Sequence, residues 1–576
     1  MLERIVLRDA ASRWLEYTRP REVLVAADAG EVVAVLETAE RRVREEGLHA
    51  AGYVTYEAAA AFDPAFVTRP AGRLPPACIG LFSGPQAIAK PRPSGSRPPG
   101  EWRMSIGPDE YAAKVAAIRE EIAAGNTYQV NFTVRLQGSG LDDPWRLFVE
   151  TAADAPHAAY VQCVDHAIVS ASPELFFERD GDVLVCRPMK GTAPRGLTLA
   201  QDRELAHRLS ASAKDRAENV MIADMVRNDL GRVAEPGSVQ VTALCAVEKY
   251  RTVWQLTSTV RARSRASLAE VFGALFPCAS VTGAPKVSSL RLIAKLEDTP
   301  REIYTGAIGC VSPDGRARFS VAIRTALVDR RTGTGVYGAG GGIVWDSNAA
   351  SEYAECLDKA RILAAPPPRD FELLETLLLA RTGSWHLLDA HLERLAASAE
   401  YFGFPFDRTR VLAALDEIGA ATAGEPQRVR LRLARDGSVA TDARTLGADA
   451  FGPWRVRLAA TPVDRRDPLL YHKTTDRRIY ERALADAGDC DDVLLWNAEG
   501  EVTESTVANL VVRLHGALVT PPVECGLLPG TLRDTLIAEG RVRERRIRIE
   551  ELADADELWL VNSVRGWIRC TLLPPP

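Results

Sequence analysis

Three consecutive prolines in "AAPPPRD" (residues 364–370) follow directly on a helical pattern and forbid its continuation. A chain of 576 residues is too long for a single hydrophobic core. The proline run therefore reads as a linker, residues 365–370, between a first domain over 1–364 and a second over 371–576. Another Pro/Gly-rich stretch, "KPRPSGSRPPG" (90–100), reads as an exposed loop separating an N-terminal part (1–100) from the part that carries the motifs described below (101–364). Strand-like and helix-like segments mix on both sides of the linker, so two α/β or α+β domains are expected.

Composition narrows the classes further. With 46% hydrophobic and 26% charged residues the chain is an ordinary soluble globular sequence. A net charge of -6 without a long Lys/Arg block argues against nucleic acid or an anionic membrane as partner. No apolar run reaches bilayer length, and "MLERIVLRDA" lacks the apolar core of a signal peptide. Ten cysteines without C-x-x-C and eight histidines without H-E-x-x-H offer neither a disulfide framework nor a zinc site. A cytoplasmic enzyme is expected.

The candidate chemistry begins at "RPMKGTAPRG" (187–196), where Lys190 stands between an apolar strand and a Gly/Pro turn. A lysine there is ordinarily a solvated charge. "SAKDRAENVMIADMVRNDLGR" (212–232) predicts a helix stopping at Gly231, with Glu218, Ile222, Met225 and Asp229 on one stripe. Glu218 is thus either a first-turn acid in water or a carboxylate held by a partner. "SNAASEYAECLDKARIL" (347–363) predicts a second helix placing Glu352, Glu355 and Lys359 along one face. That pattern reads as a surface ion-pair ladder or as a grip on a hard cation such as Mg²⁺. Ahead of it, "VYGAGGGIVWDSN" reads as a strand entering a loop whose Gly340, Gly341 and Gly342 would let backbone approach an anion.

"GNTYQVNFT", "SPELFF", "RPMKGTAPRG", "AENVMIADMVRNDLGR", "FPCASVTGAPK", "YTGAIG", "FSVAIRT", "GAGGGIVWDS" and "SEYAECLDKA" follow one another in the order found in chorismate-utilising enzymes. The resemblance spans roughly residues 105–363, and "GYVTYEAAAAFDP" carries it into the N-terminal region. It implies a β-sandwich with flanking helices. It also implies Mg²⁺ held by Glu218, Glu352 and Glu355. Chorismate carboxylates would be received by Tyr304, Arg324, Lys359, Thr282 and the glycine segment, with Thr192 beside Lys190. Glu174 would be the general acid for the departing C4 hydroxyl. Lys190 together with Gln129 of "YQVN" resembles the aminodeoxychorismate-forming branch, in which the lysine amine adds at C2 before ammonia attacks C4. Gln129 cannot deprotonate water at neutral pH, which disfavours hydroxyl transfer. Met189, Cys278 and Ala279 depart from the family's usual Ile and Gly-Gly. No amidotransferase signature such as G-x-C-x-G is present, so a glutamine amidotransferase subunit or free ammonium would supply the nitrogen.

Beyond the linker, residues 370–404 predict strand, turn, strand and helix, the helix carrying Arg394. "YHKTTDRRIYERAL" sets Lys473 before a helical run, Glu504 follows an Asn/Gly-containing turn, and "LLPGT" puts Gly530 and Thr531 at a helix start suited to phosphate. Each residue taken singly reads as structural or solvated. Together with "HLERL", "EVTESTVANL" and "NSVRG" they resemble fold-type-IV pyridoxal-phosphate (PLP) enzymes over 371–570. The resemblance implies Lys473 as the lysine bonded to PLP and Glu504 as the partner of the pyridine nitrogen. Arg394, Gly530 and Thr531 would hold the phosphate. The usual first-strand segment is reduced to "FELLET", so substrate contacts from that region would come from elsewhere, a second copy of the chain in a homodimer through this domain being one source. Aminodeoxychorismate lyase and aminotransferase both fit these motifs, and the neighbouring domain favours the lyase. The alternatives are an anthranilate-type enzyme fused to an aminotransferase, and an inactive amidotransferase scaffold.

Overall fold

The computed structural model describes residues 1–92, 100–363, 369–422, 424–446 and 453–574. Most of the Pro/Gly stretch near residue 95 and of the proline linker lies outside them. The chain divides into two compact units: Met1–Ala193 with Arg208–Pro368, and Pro194–His207 with Arg369–Pro576. Nothing in the composition of residues 194–207 announces that they belong with the second unit.

The first unit is built on two ten-stranded sheets. One runs through Gly283–Ala284, Gln129–Ser139, Thr334–Ile343, Thr325–Asp329, His166–Ser172, His157–Cys163, Leu2–Arg8, Trp14–Thr18 and Gln86–Ile88, with Glu101–Met104 also pairing on Gln129–Ser139. The other includes Met189–Pro194, Val253–Arg263, Val183–Arg187, Leu175–Asp180, Ala317–Val321, Ala307–Val311 and His49–Val54. Strands from before and after residue 100 pair directly, Leu2–Arg8 with His157–Cys163, so the two parts of this unit share their sheets.

Alternation along the strands explains the packing. Ile5 and Leu7 enter one buried cluster and Val6 another; Ala159 and Val161 join the first cluster, Ala158 and Tyr160 the second. Because both faces are covered, the central stretches Ile5–Leu7 and Ala158–Val161 are unbroken apolar runs. The smaller cluster joins residues of both sheets, such as Ile5, Val161 and Ile168 with Tyr53, Phe82 and Ile308. The larger one adds helix residues, including Phe148 and Phe272. Burying one such side chain contributes about 1.5–3 kcal/mol.

Gln129–Ser139 behaves differently. Val130, Phe132, Val134 and Leu136 pack in the core, while Gln129, Asn131, Thr133 and Arg135 on the opposite face are also buried. A polar face removed from water needs internal partners. Thr133 and Arg135 find theirs in Glu297, which also pairs with Arg301.

In the second unit, Leu373–Leu379, Gln427–Leu433 and Val439–Thr445 form one sheet whose core includes residues of the helices Leu388–Phe402 and Arg408–Ala421. The expected second strand of the opening hairpin shrinks to a single bridge, Leu379 to Trp385, because a tight turn at Ala380–Ser384 leads almost at once into the helix. A further sheet orders Val502–Ser505, Asp492–Trp496, Trp454–Leu458, Gly566–Leu572, Glu557–Asn562 and Asn509–Leu514. Val502–Ser505 and Asn509–Leu514 also pair through Glu504 and Asn509, closing these six of the sheet's eight strands into a barrel, with Ala517–Thr520 and Arg543–Glu544 continuing beyond Asn509–Leu514. Among the described residues no helix is long and apolar enough to cross a membrane.

Candidate active sites

Lys190 lies within the strand Met189–Pro194 rather than beyond a strand end. Its Nζ is 3.6 Å from a carboxylate oxygen of Glu218, and both side chains are about a fifth exposed (19% and 21%). The helix bearing Glu218, Ala213–Gly231, starts where Ser212 accepts a hydrogen bond from the Asp215 N–H. The helix does end at Gly231, but through Arg232 in a right-handed conformation, not through a left-handed glycine. Buried Asn219, next to Glu218, donates to the carbonyls of Lys190 and Leu256 at 3.1 and 3.0 Å. That side chain ties the lysine's strand to the acid's helix. The stripe residue Glu218 is therefore a carboxylate with a partner.

The glycine segment is not a loop. Gly340, Gly341 and Gly342 pair opposite Thr133, Phe132 and Asn131 inside the strand Thr334–Ile343. Their smallness serves side chains rather than a turn. A Cβ on Gly342 would lie 2.0 Å from Gln129 Nε2 and 2.8 Å from Lys190 Nζ. One on Gly341 would stand 3.0 Å from Glu352 Oε2 and 3.8 Å from Lys359 Nζ. One on Gly340 would overlap the Phe132 carbonyl at 2.3 Å. Gln129 and Lys190 thus converge over Gly342, and Glu352 and Lys359 over Gly341.

The helix Ala349–Ala360, capped by Asn348, supplies Glu352, Glu355 and Lys359. Lys359 Nζ donates to the Gly340 carbonyl at 2.7 Å and pairs with Glu355 at 2.6 Å. Arg324, in a left-handed conformation (φ 53°) that non-glycine residues adopt rarely, donates to the Lys359 carbonyl at 2.8 Å. Glu352 accepts from Ser347 at 2.8 Å. Burial and the Glu355 charge raise the Glu352 pKa. Burial pushes Glu355 the same way, but Lys359, with Lys190 and Arg324, carries it below the usual range. The three expected metal carboxylates are not gathered: among the described residues no three His, Cys, Asp or Glu stand, in their present rotamers, where they would together hold an ion. Glu218 faces Lys190 and Glu355 faces Lys359 instead.

Glu174 is the most deeply set acid of this site, 2% exposed. Burial raises its pKa to about 7, against the Ser280 hydroxyl at 2.7 Å, the Met189 N–H and the Lys190 charge. Tyr304 is buried, its ring filling the space left by Gly338, with the Arg135 guanidinium 5.6 Å from the ring centre. Thr282 and Thr192 turn their hydroxyls to the protein, Thr282 to the Cys278 carbonyl (3.0 Å) and Thr192 to Gln255 (2.9 Å). Gln129 Oε1 is buried without a hydrogen-bond partner among the described residues. An orphaned acceptor is costly, and it marks where a ligand's donor would fit.

The second unit holds a separate constellation. Lys473 is half-buried, and the loss of solvent around its amine together with the Arg394 cation brings it down to about 8, against the opposing charge of Glu375. Arg394, on the helix Leu388–Phe402, donates to both oxygens of Glu375 at 2.9 and 2.6 Å and to the Pro529 carbonyl at 2.9 Å. Gly530 caps the helix Thr531–Ala538, and a Cβ there would meet Asn509 Oδ1 at 1.9 Å. Thr531 Oγ lies 3.3 Å from His391 Nε2, whose ring also reaches Ser563 at 2.9 Å and Glu375 at 2.7 Å. Glu504 is driven up to about 7 by burial, opposed by the Tyr480 hydroxyl (2.9 Å), a backbone N–H and the charge of Lys473. Arg394, Gly530, Thr531, the half-buried Lys473 and the buried Glu504 therefore belong to one polar interior. Sequence reasoning missed Glu375, His391, Tyr480, Asn509 and Ser563 here, and Ser280 and Asn219 in the first unit. Glu375 had a readable signal, as the lone charge in the apolar strand "LLETLLL".

Comparison with known proteins settles the family. A model of chorismate binding enzymes matches residues 8–365. The chain belongs to that family. An amino-transferase class IV model matches residues 372–573. Aminodeoxychorismate synthase component 1 of Salmonella typhimurium is 41% identical over 269 residues, 46% of this chain and 59% of that protein. Anthranilate synthase component 1 of Streptomyces coelicolor is 37% identical over 355 residues, 60% of this chorismate binding enzyme and 66% of the relative. The chain thus spans about three-fifths of the length of the first of these relatives. The crystal structure of anthranilate synthase component I from Streptococcus pneumoniae shares the fold, with a TM-score of 0.53 at 23% identity over 63% of this chain and 92% of that one.

Proposed function

We propose that the chain makes 4-aminobenzoate in two steps, aminating chorismate at C4 in the first unit and eliminating pyruvate from the product in the second. The observation that carries this reading is the meeting of Lys190 with Gln129 over Gly342, beside a glutamic acid whose pKa is near neutrality. The Lys190 amine, giving up a proton, adds at C2 as both ring double bonds shift and the C4–O bond breaks. Glu174 gives the C4 hydroxyl its proton, so water departs. Ammonia then attacks C4, the double bonds return, and the C2–N bond to Lys190 breaks. Gln129 Oε1 accepts a hydrogen bond from the substrate, and Arg324 and Lys359 receive its carboxylates.

Carboxylate oxygens suit Mg²⁺. Glu218, Glu352 and Glu355 would hold it, and it would neutralise the substrate's ring carboxylate and relieve the like charge that raises Glu352. To do so, Glu218 and Glu355 must exchange their lysine partners for the ion.

The second unit fits PLP in the chemistry of its donors. Arg394 and the Gly530–Thr531 helix start would take the phosphate, Glu504 the pyridine nitrogen, and Lys473 the aldehyde. PLP supplies an electron sink that makes the C4 proton of the aminated ring removable. Lys473, lowered to about 8 by burial and Arg394, is suited to take that proton. Aromatisation then expels pyruvate. Ammonia comes from a glutamine amidotransferase subunit or from free ammonium, and a second copy of the chain completes the PLP-domain site as a homodimer. The ten cysteines are all free thiols, which suits a cytoplasmic setting.

The 37% identity to an anthranilate synthase favours a second reading, ammonia delivery to C2. One experiment separates them: chorismate, Mg²⁺ and ammonium are supplied with and without PLP, and the aromatic product is identified. 4-Aminobenzoate with stoichiometric pyruvate only when PLP is present supports the proposal. Anthranilate refutes its first half, and an aminated dicarboxylate without pyruvate release refutes its second.

A further inference from the structure

A piece of the chorismate-binding match, Pro194–His207, is built into the second unit. Its core is a bidentate ion pair, Arg195 donating to both oxygens of Asp202 at 2.7 Å, with side chains 9% and 1% exposed. The Gly196 N–H donates to Asp202 at 2.9 Å, and a Cβ on Gly196 would meet the Asp202 backbone nitrogen at 2.2 Å. The segment therefore has one compact shape. That shape is used on one element: Arg195 donates to the Tyr401 carbonyl at 3.0 Å with its guanidinium 4.6 Å over the Tyr401 ring, and the Tyr401 hydroxyl donates to the Gly196 carbonyl at 2.7 Å. Tyr401 stands near the end of the helix that carries Arg394.

The other element is His472, immediately before Lys473. Its ring stacks on Tyr401 at 4.4 Å, donates from Nε2 to the Leu197 carbonyl at 3.1 Å, and accepts at Nδ1 from Ser398 at 2.9 Å. Burial lowers its pKa to about 4, so the ring is neutral and this donor–acceptor pattern persists through physiological pH. Each ring nitrogen has one partner, and the ring plane is fixed by the tyrosine.

We infer that Pro194–His207 is a positioning element of the cofactor site, holding His472 through the Leu197 carbonyl and the Arg394 helix through Arg195 and Asp202, so that Lys473 and Arg394 keep their spacing. This rests on the reading of Lys473 and Arg394 as PLP ligands. None of residues 194–207 touches the cofactor in this assignment; they act through their neighbours.

The test uses the full chain with Asp202→Asn, which keeps size and removes the anion, and with Tyr401→Phe, which keeps the ring stack and removes the hydroxyl. PLP affinity is titrated by fluorescence, and the pH midpoint of the absorbance of lysine-bound PLP is recorded alongside chorismate consumption. Asp202→Asn is expected to weaken PLP about tenfold or more, the scale of a lost charged hydrogen bond, and to move the absorbance midpoint. Tyr401→Phe should act in the same direction by about threefold to tenfold, and decides the matter alone if the first variant does not fold. Chorismate consumption should stay at the wild-type rate. Wild-type PLP affinity and midpoint in Tyr401→Phe and in a folded Asp202→Asn overturn the inference, as does a loss confined to chorismate consumption. A wild-type chain that takes up no PLP refutes the cofactor reading instead.

Discussion

Glu375 offers the sharpest quantitative test. It is 2% exposed, receives both arms of Arg394 and the ring of His391, and its pKa is held at about 2, where these partners outweigh the burial that opposes them. Relative to an unfolded value of 4.5, a depression of that size corresponds to about 3 kcal/mol of folding stability. A depressed acid stabilises the folded state fully above its unfolded pKa and loses that contribution as the pH falls through the folded one. The stabilisation is therefore complete above pH 4.5 and drains away toward pH 2. Glu375→Gln removes the charge, leaves the largely enclosed Arg394 guanidinium (13% exposed) beside an amide, and should cost about 3–5 kcal/mol at pH 7. The assay is urea unfolding of the full chain, read by hydrogen exchange in peptides from Arg369–Pro576. With a slope of about 2 kcal/mol/M, the midpoint should fall by roughly 1.5–2.5 M. The gap between wild type and variant should close as the pH approaches 2, where the wild-type acid is itself protonated. A midpoint change below about 0.3 M at pH 7, or a gap that persists unchanged at pH 2, refutes the reasoning.

Other expectations follow from the first unit and the barrel. Lys190→Ala should abolish chorismate amination while the melting profile and PLP uptake persist, since the strand is held through the backbone carbonyl of residue 190. Chorismate consumption measured as kcat/KM should decline as the pH rises through about 7, where Glu174 loses its proton; Glu174→Gln should erase that limb and lower the rate by about 10²–10⁴-fold. Gly342→Ala must displace Gln129 or Lys190, so it should remove chorismate turnover and leave PLP affinity unchanged. Glu504→Gln should weaken PLP binding without affecting chorismate consumption, a split read by fluorescence titration and a chorismate absorbance assay.

What was legible in the chain depended on whether the signal was local. The helix 212–232 announced itself through its stripe and its stop at Gly231, and the pairing of Lys190 with Glu218 gives that stripe its reason. The glycine run misled because a glycine's purpose depends on its cross-strand register: Gly341 and Gly342 make room for side chains that arrive from more than a hundred residues away or from the following helix. The buried polar face of Gln129, Asn131, Thr133 and Arg135 alternates like a half-solvated strand, and only Glu297 and Arg301 reveal that it is internal. The carboxylate trio was nameable by resemblance, but its lysine partners depend on side-chain positions that spacing does not fix. The excursion at 194–207 had no compositional mark because its partners, Tyr401 and His472, look ordinary in their own helix and loop.

The rung that closes the barrel joins Glu504 to Asn509, and in the proposed assignment the same two residues would frame the PLP seat, one as acid and the other against Gly530. A hoop fastened at the very place where its cargo is gripped cannot spring open and stay loaded. If PLP sits there, the fraction of chains that keep its yellow colour through purification would report the fraction in which this half has been correctly shut.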